Sequence, residues 1–315
     1  MKLIARLAIA ASLFSGGVSG TMIAVAGSAD GVPALKVTAP GGATSILVAS
    51  MHVPYAGLHQ PLASVLSGKS RLVIESSNTQ GPQPPTPDPR EMLTPAALSG
   101  FYTGGALARA PWAASLTDDD VAVLRRNGTC SGSVLDDKAT DFLLAMKSPA
   151  MAAGIANAPC GRPGQLSRDE IFTKAATEAR LPIDTLETQV AVDRQRKAVP
   201  DRIYEAQLRG AFGPAAARAF ARTVTALNQG DYATVLDVAN AGYQNPTDAA
   251  TLYRLMVDER NRAWMVPLRR YLDEGNAVVL VGAAHLPGKS GLISLLRKAG
   301  YQIEPIVLPP DPTQG

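Results

Sequence analysis

Four side chains in this chain stand where they can share one piece of chemistry: His52, Glu75, Glu187 and His285. Each follows an apolar run that reads as a strand, and groups at strand exits gather at the carboxyl edge of an open sheet. Two imidazoles with one or two carboxylates are the donors a divalent ion takes while leaving a position open for water. The metal set expected on residue type is His52, His285 and Glu75, and zinc, manganese, iron or cobalt all suit such donors. Without an ion, a histidine beside a glutamate still serves as general base and orienting group. Arg260, on a later helical stretch, is the cation expected to steady an anionic group. The full catalytic set expected is therefore His52, His285, Glu75, Glu187 and Arg260.

Each of these residues also has a plain reading. A histidine near a strand end is ordinarily a hydrogen-bonded structural residue, a strand-end glutamate is ordinarily solvated, and Arg260-Asn261 is by default an exposed helix pair. Two facts favour the histidines. The chain has only three of them, and two sit in matched settings. His52-Val53-Pro54 and His285-Leu286-Pro287 each follow an apolar strand and precede a helix closed by glycine and a further strand. The third, His59, lies in a polar loop before Pro61 and reads as surface. No His-Glu-x-x-His helix, Gly-x-Ser-x-Gly elbow or phosphate loop is present, so zincin, serine and nucleotide mechanisms lack their signatures.

The elements that must position these residues are legible around them. Residues 277–281 form an unbroken apolar run rich in valine, the pattern of a strand buried on both faces. Gly282 then allows a sharp turn before His285. Ser290 is a candidate N-cap for a helix with an apolar stripe that stops at Gly300, and residues 302–308 read as another strand. Near the other histidine, residues 35–38 and 45–49 are β-prone runs joined by Ala39-Pro40-Gly41-Gly42, a hairpin signal. Pro61 opens a short helix ending at Gly68, and residues 71–74 form a strand that delivers Glu75. Residues 76–89 carry five prolines and read as a surface loop. Ser167 with Glu170 is a capping box, and residues 181–186 read as a strand ending at Glu187. From 189 to 265 the pattern is helical, with breaks near Pro200, Pro214, Gly230 and 242–246. That run suggests a helical insertion capping the active edge, and Pro267 is placed to bend or interrupt the helix after it.

The chain has 315 residues, 46% of them apolar and 18% charged, enough for one large domain with a sizeable core. Residues 1–26 carry Lys2 and Arg6, an apolar core at 7–14 and Ala24-Val25-Ala26, the pattern of a signal peptide. The expectation is an exported protein, periplasmic or secreted, with a single domain over 27–315. An uncleaved membrane anchor is the rival reading, but Gly16, Gly17 and Gly20 interrupt its apolar run. Without the leader, 28 basic residues face 27 acidic ones, and nucleic acid is a poor partner. A peptide or small-molecule substrate is expected, with membrane contact only if the leader stays attached. Cys130 and Cys160 both fall in the exported part, as a structural disulfide or two unpaired thiols.

With these residues in view, the chain resembles the TraB/GumN (TraB/PrgY/GumN) family, related to the Tiki membrane proteases and more distantly to ChaN-like folds. The similarity runs over about 43–307. Its most specific pieces are Glu259-Arg260-Asn261, Gly282-Ala283-Ala284-His285-Leu286-Pro287-Gly288, Gly291-Leu292 and Gly300-Tyr301, with Leu186-Glu187-Thr188 as a middle motif. The resemblance implies an α/β (α+β) fold of ChaN-like type, with two Gly-x-x-His motifs facing one pocket and metal-dependent, peptidase-like hydrolysis. The first motif departs from the pattern, with Ala49-Ser50-Met51-His52 where the family has Gly-Thr-x-His. Ala49 adds a methyl where glycine's freedom is expected. That departure motivates the alternative of a non-catalytic periplasmic protein that holds a peptide or haem-like ligand in the same cleft.

Overall fold

The computed structural model describes residues 31–76, 88–130, 135–158, 160–161 and 165–313. The leader and most of the proline-rich loop lie outside the described residues. Six strands form one sheet: β1 (Val32–Thr38), β2 (Thr44–Ser50), β3 (Arg71–Ile74), β4 (Ile183–Thr185), β5 (Ala277–Gly282) and β6 (Gln302–Leu308). Their order is β4-β3-β5-β2-β1-β6. The first four of that order run parallel, and β1 is antiparallel to both its neighbours.

The valine-rich run is β5, every residue of it buried. Its side chains alternate between two cores, as a strand's period of two requires. Val279 and Val281 join Trp264 and Leu268 from the helix Glu259–Glu274, and Leu292 and Leu296 from the helix Leu292–Lys298. Val278 and Leu280 pack with Phe172 and Ala176 of the helix Arg168–Glu178 on the opposite face. The molecule is thus a mixed α/β fold with helices on both faces of the sheet, as the sequence pattern implies. A second, helical core brings Leu124, Leu144, Ile203 and Leu208 together away from the sheet.

The hairpin of β1 and β2 forms as expected, with Gly42 at φ +87 in its turn. The capping box forms too: Ser167 accepts from the Glu170 amide, and the Glu170 carboxylate accepts from the Ser167 amide. The helical stretch breaks where the punctuation indicates, into Gln189–Ala198, Asp201–Ala211, Pro214–Gln229, Tyr232–Ala241 and Pro246–Tyr253. Two of these reach the active edge. Val192 and Arg196 wall the cleft described below, and Tyr232–Ala241 packs against the 3-10 turn Ala283–His285. Cys130 and Cys160 are joined by a disulfide, with Cα atoms 5.2 Å apart.

Three local expectations change. The helix after Pro61 is a single 3-10 turn, Ala63–Leu66, because Pro61 instead bridges to Pro310. Gly291, not Ser290, caps the last helix, since the Ser290 hydroxyl donates to Asp258. Pro267 sits inside Glu259–Glu274 without ending it. Among the described residues, no helix is long and apolar enough to cross a membrane.

Candidate active site

Sheet order decides the site. The four adjacent parallel strands β4, β3, β5 and β2 exit on one edge, and in that order they deliver Glu187, Glu75, His285 and His52. The pairing of β3 and β4 continues past their ends, where the Glu187 amide donates to the Glu75 carbonyl at 2.9 Å. The two histidines, 233 positions apart, face one carboxylate oxygen. Glu75 Oε1 lies 3.4 Å from His52 Nε2 and 3.8 Å from His285 Nε2.

Arg260 closes the group from the helix Glu259–Glu274. Its Nη2 donates to Glu75 Oε2 at 2.7 Å, and its Nε and Nη2 both donate to Glu187 Oε1. Nη1 reaches the Met256 carbonyl at 3.1 Å and stands 3.3 Å from His285 Nε2. The guanidinium also lies over the Trp264 ring, 4.7 Å from its centroid. Such a planar fork satisfies two carboxylates and an aromatic face together, which lysine's point charge cannot do. Arg260 and Asn261 are buried, so the plain reading of an exposed pair does not hold.

His285 is fixed by Asn261. The Asn261 amide donates to the His285 and Ser290 carbonyls, so its Oδ1 accepts, at 2.7 Å, from His285 Nδ1–H. That bond assigns the tautomer and leaves the Nε2 lone pair pointing at Glu75 and Arg260. Trp264 packs against the ring at 4.3 Å. Burial is the main force on its pKa, and Arg260 and His52 add to it against the pull of Glu75; the result is a fall to about 4. His285 is therefore a neutral imidazole whose Nε2 lone pair meets the Arg260 guanidinium.

His52 behaves oppositely. Its side chain is 46% exposed, and its backbone takes φ +62, a left-handed conformation uncommon outside glycine. Nδ1 lies 3.1 Å from Asp169 Oδ1, and Asp169 Oδ2 accepts from the Ser50 hydroxyl. The water displaced from its inner side opposes charge on this half-exposed ring, but the carboxylates of Glu75 and Asp169 outweigh that and hold its pKa well above the ordinary value. For Glu75, burial is outweighed by His52, His285 and Arg260, which keep its carboxyl well below the usual range. The pocket thus holds one protonated and one neutral imidazole around a carboxylate.

Gly282 shows why the second motif needs glycine. A Cβ there would lie 2.7 Å from His52 Nε2 and 3.2 Å from Glu75 Oε1, and its amide donates to Glu75 Oε1 at 2.6 Å. Its φ is negative, so the requirement is close approach rather than backbone freedom. Ala49, the departure in the first motif, lies within β2 opposite Val281 with its methyl in the main core. No glycine conformation is needed at that position. The expected penalty there is absent, and the left-handed residue is His52 itself.

Two positions of the site, Asp169 and Arg168, escape the sequence reading, and Asn261, named there beside Arg260, gains its role as the anchor of His285 only here. Asp169 sits in the first turn of a helix, where an acid is explained by the helix dipole alone. Arg168 is buried, its pKa lowered to about 10 by burial, and it donates to the Ala49 carbonyl at 2.6 Å and the His59 carbonyl at 2.7 Å. It thereby clamps both ends of the loop that carries His52. His59 is not a free surface residue: its amide donates to Asn228, and its ring lies 3.3 Å from the Gly31 carbonyl.

Above these groups lies an open cleft of about 880 Å³, lined by His52, Glu75, Asp169 and Arg260 with Lys174 and Arg196 on its walls. His285 lies beneath its floor, 5% exposed. The donors His52, His285 and Glu75 fit a divalent ion in type, and Glu75 Oε1 stands 3.4 Å and 3.8 Å from the two imidazole Nε2 atoms. Arg260 competes for the same His285 lone pair. Among the described residues, no group of three or more His, Cys, Asp or Glu side chains is placed to hold a metal ion.

A model of the TraB/PrgY/gumN family matches residues 34–305. No curated protein and no solved structure matches the chain.

Proposed function

As the chain belongs to the TraB/PrgY/gumN family, we propose that it is an exported hydrolase of peptide bonds or other small amides or esters. The observation that carries this reading is the delivery of Glu187, Glu75, His285 and His52 to one edge by four neighbouring strands. A cleft floored by a carboxylate between a protonated and a neutral imidazole is suited to moving a proton to and from water. Glu75, on the cleft floor, holds and deprotonates the attacking water, and the buried neutral His285 backs its carboxylate from beneath. His52, charged and facing the cleft, returns a proton to the leaving group. Arg260, its N–H groups taken by Glu75, Glu187, the Met256 carbonyl and His285, keeps the Glu75 carboxylate charged and in place. Glu187 keeps that guanidinium aimed.

A zinc, manganese, iron or cobalt ion held by His52, His285 and Glu75 would supply Lewis-acid polarisation and a more acidic water. Export is supported by the pattern of residues 1–26 and by the Cys130–Cys160 disulfide, which an oxidising compartment permits. The test combines metal analysis of the purified protein with a peptide and ester panel, with and without added divalent ions. Cleavage that is lost in His52→Ala and His285→Ala, while both variants stay folded, supports hydrolysis. No cleavage under any ion, together with ligand-induced thermal stabilisation that survives the double variant, would instead favour sequestration without catalysis.

A further inference from the structure

A second cavity, of about 780 Å³, lies among the helices Asp201–Ala211, Pro214–Gln229, Tyr232–Ala241 and Pro246–Tyr253 and the π-helical turn Arg254–Asp258. Its volume is within the roughly 300–1,000 Å³ of small-molecule sites. Phe220, Val235, Val238, Leu252 and Met256 give it an apolar wall, and its lining includes no carboxylate. Two cations belong to that lining, Arg218 and Arg222, one helical turn apart and both exposed. Among the described residues neither has an ion-pair or hydrogen-bond partner. An apolar chamber with two unpaired arginines and no acid is complementary to a molecule with a greasy body and a negative head.

We propose that this cavity binds a free single-chain amphiphile with a carboxylate head, its acyl chain inside and its head on Arg218 and Arg222. The cavity is distinct from the cleft over Glu75 and shares no lining residue with it. It nevertheless touches both histidine loops. Ala284, the residue before His285, is part of its wall, and Phe220 stacks on Tyr55 of the His52 loop at 5.6 Å. An acyl chain seated there lies against the segments that hold the two imidazoles.

The test is displacement of 1-anilinonaphthalene-8-sulfonate from the purified chain by dodecanoate, decanoate and dodecanol. Each buried methylene is worth about fourfold in affinity, so dodecanoate, with two more, should compete about fifteenfold better than decanoate. It should also compete about tenfold better than dodecanol, which has the same chain and no charge. Arg218→Glu with Arg222→Glu, both on the surface, should erase the preference for the acid over the alcohol. Ala219→Trp, on the cavity wall, should remove dodecanoate binding at an unchanged melting temperature. The proposal is overturned if dodecanoate displaces nothing, if acid and alcohol compete equally in the wild type, or if neither variant alters binding. A response confined to phosphatidylglycerol vesicles would also overturn it, because the site would then read a bilayer surface and not a free chain.

Discussion

Lowering the pH from 6.5 to 5 should destabilise the metal-free protein through one residue, His285. Burial holds its folded-state pKa at about 4, against an ordinary 6.5. The unfolded chain therefore takes up a proton at this position through a pH range where the folded chain does not. Stability then falls as pH falls, starting at the unfolded value and ending near the folded one. Each pH unit in that window costs about 1.4 kcal/mol, so the full span is worth about 3 kcal/mol and the step from pH 6.5 to 5 about 1.5–2 kcal/mol. The other shifted groups of the site leave this window alone. His52 has a raised pKa, so its contribution is fully present below about pH 6.5 and is lost only as pH rises through its folded value. Glu75 and Asp169 have lowered values, so their contributions fall away only in more acid solution. Urea unfolding in the presence of a chelator, at half-unit steps from pH 6.5 to 5, measures the slope. His285→Gln is the control: it lowers stability at every pH but should flatten the slope. A slope equal in both proteins, or a wild type that gains stability toward pH 5, would refute a buried neutral His285.

Three further outcomes follow from the same geometry. Gly282→Ala drives a methyl against His52 Nε2 and Glu75 Oε1, and should cost about 1–3 kcal/mol in thermal unfolding while abolishing hydrolysis. Arg260→Met strips the cation from two enclosed carboxylates. It should cost about 3–5 kcal/mol by denaturant titration, and Arg260→Lys should recover only part of that. Asp169→Asn should lower the His52 pKa, visible as an acid-ward shift of its imidazole NMR titration, and leave that of His285 in place.

The sequence alone determined the alternation of strands and helices, because that information is local. Apolar runs, glycine and proline punctuation and the capping box act within a few residues, and β5, the hairpin, the capping box and the helical stretch all formed where those signals lie. It also put His52, Glu75, Glu187 and His285 at strand exits, since a strand's end can be read from its own pattern. Only the tertiary structure decided that these four exits are neighbours, because strand order arises from pairings across long sequence separations. The same holds for Asp169 on His52, 117 positions apart, and for Arg260 on Glu75, 185 apart. The reason for Gly282 was equally hidden, since it lies in a side chain brought in from another strand. Local signals report what a residue does to its own backbone. What a side chain meets across the sheet is set by how the whole apolar surface is buried.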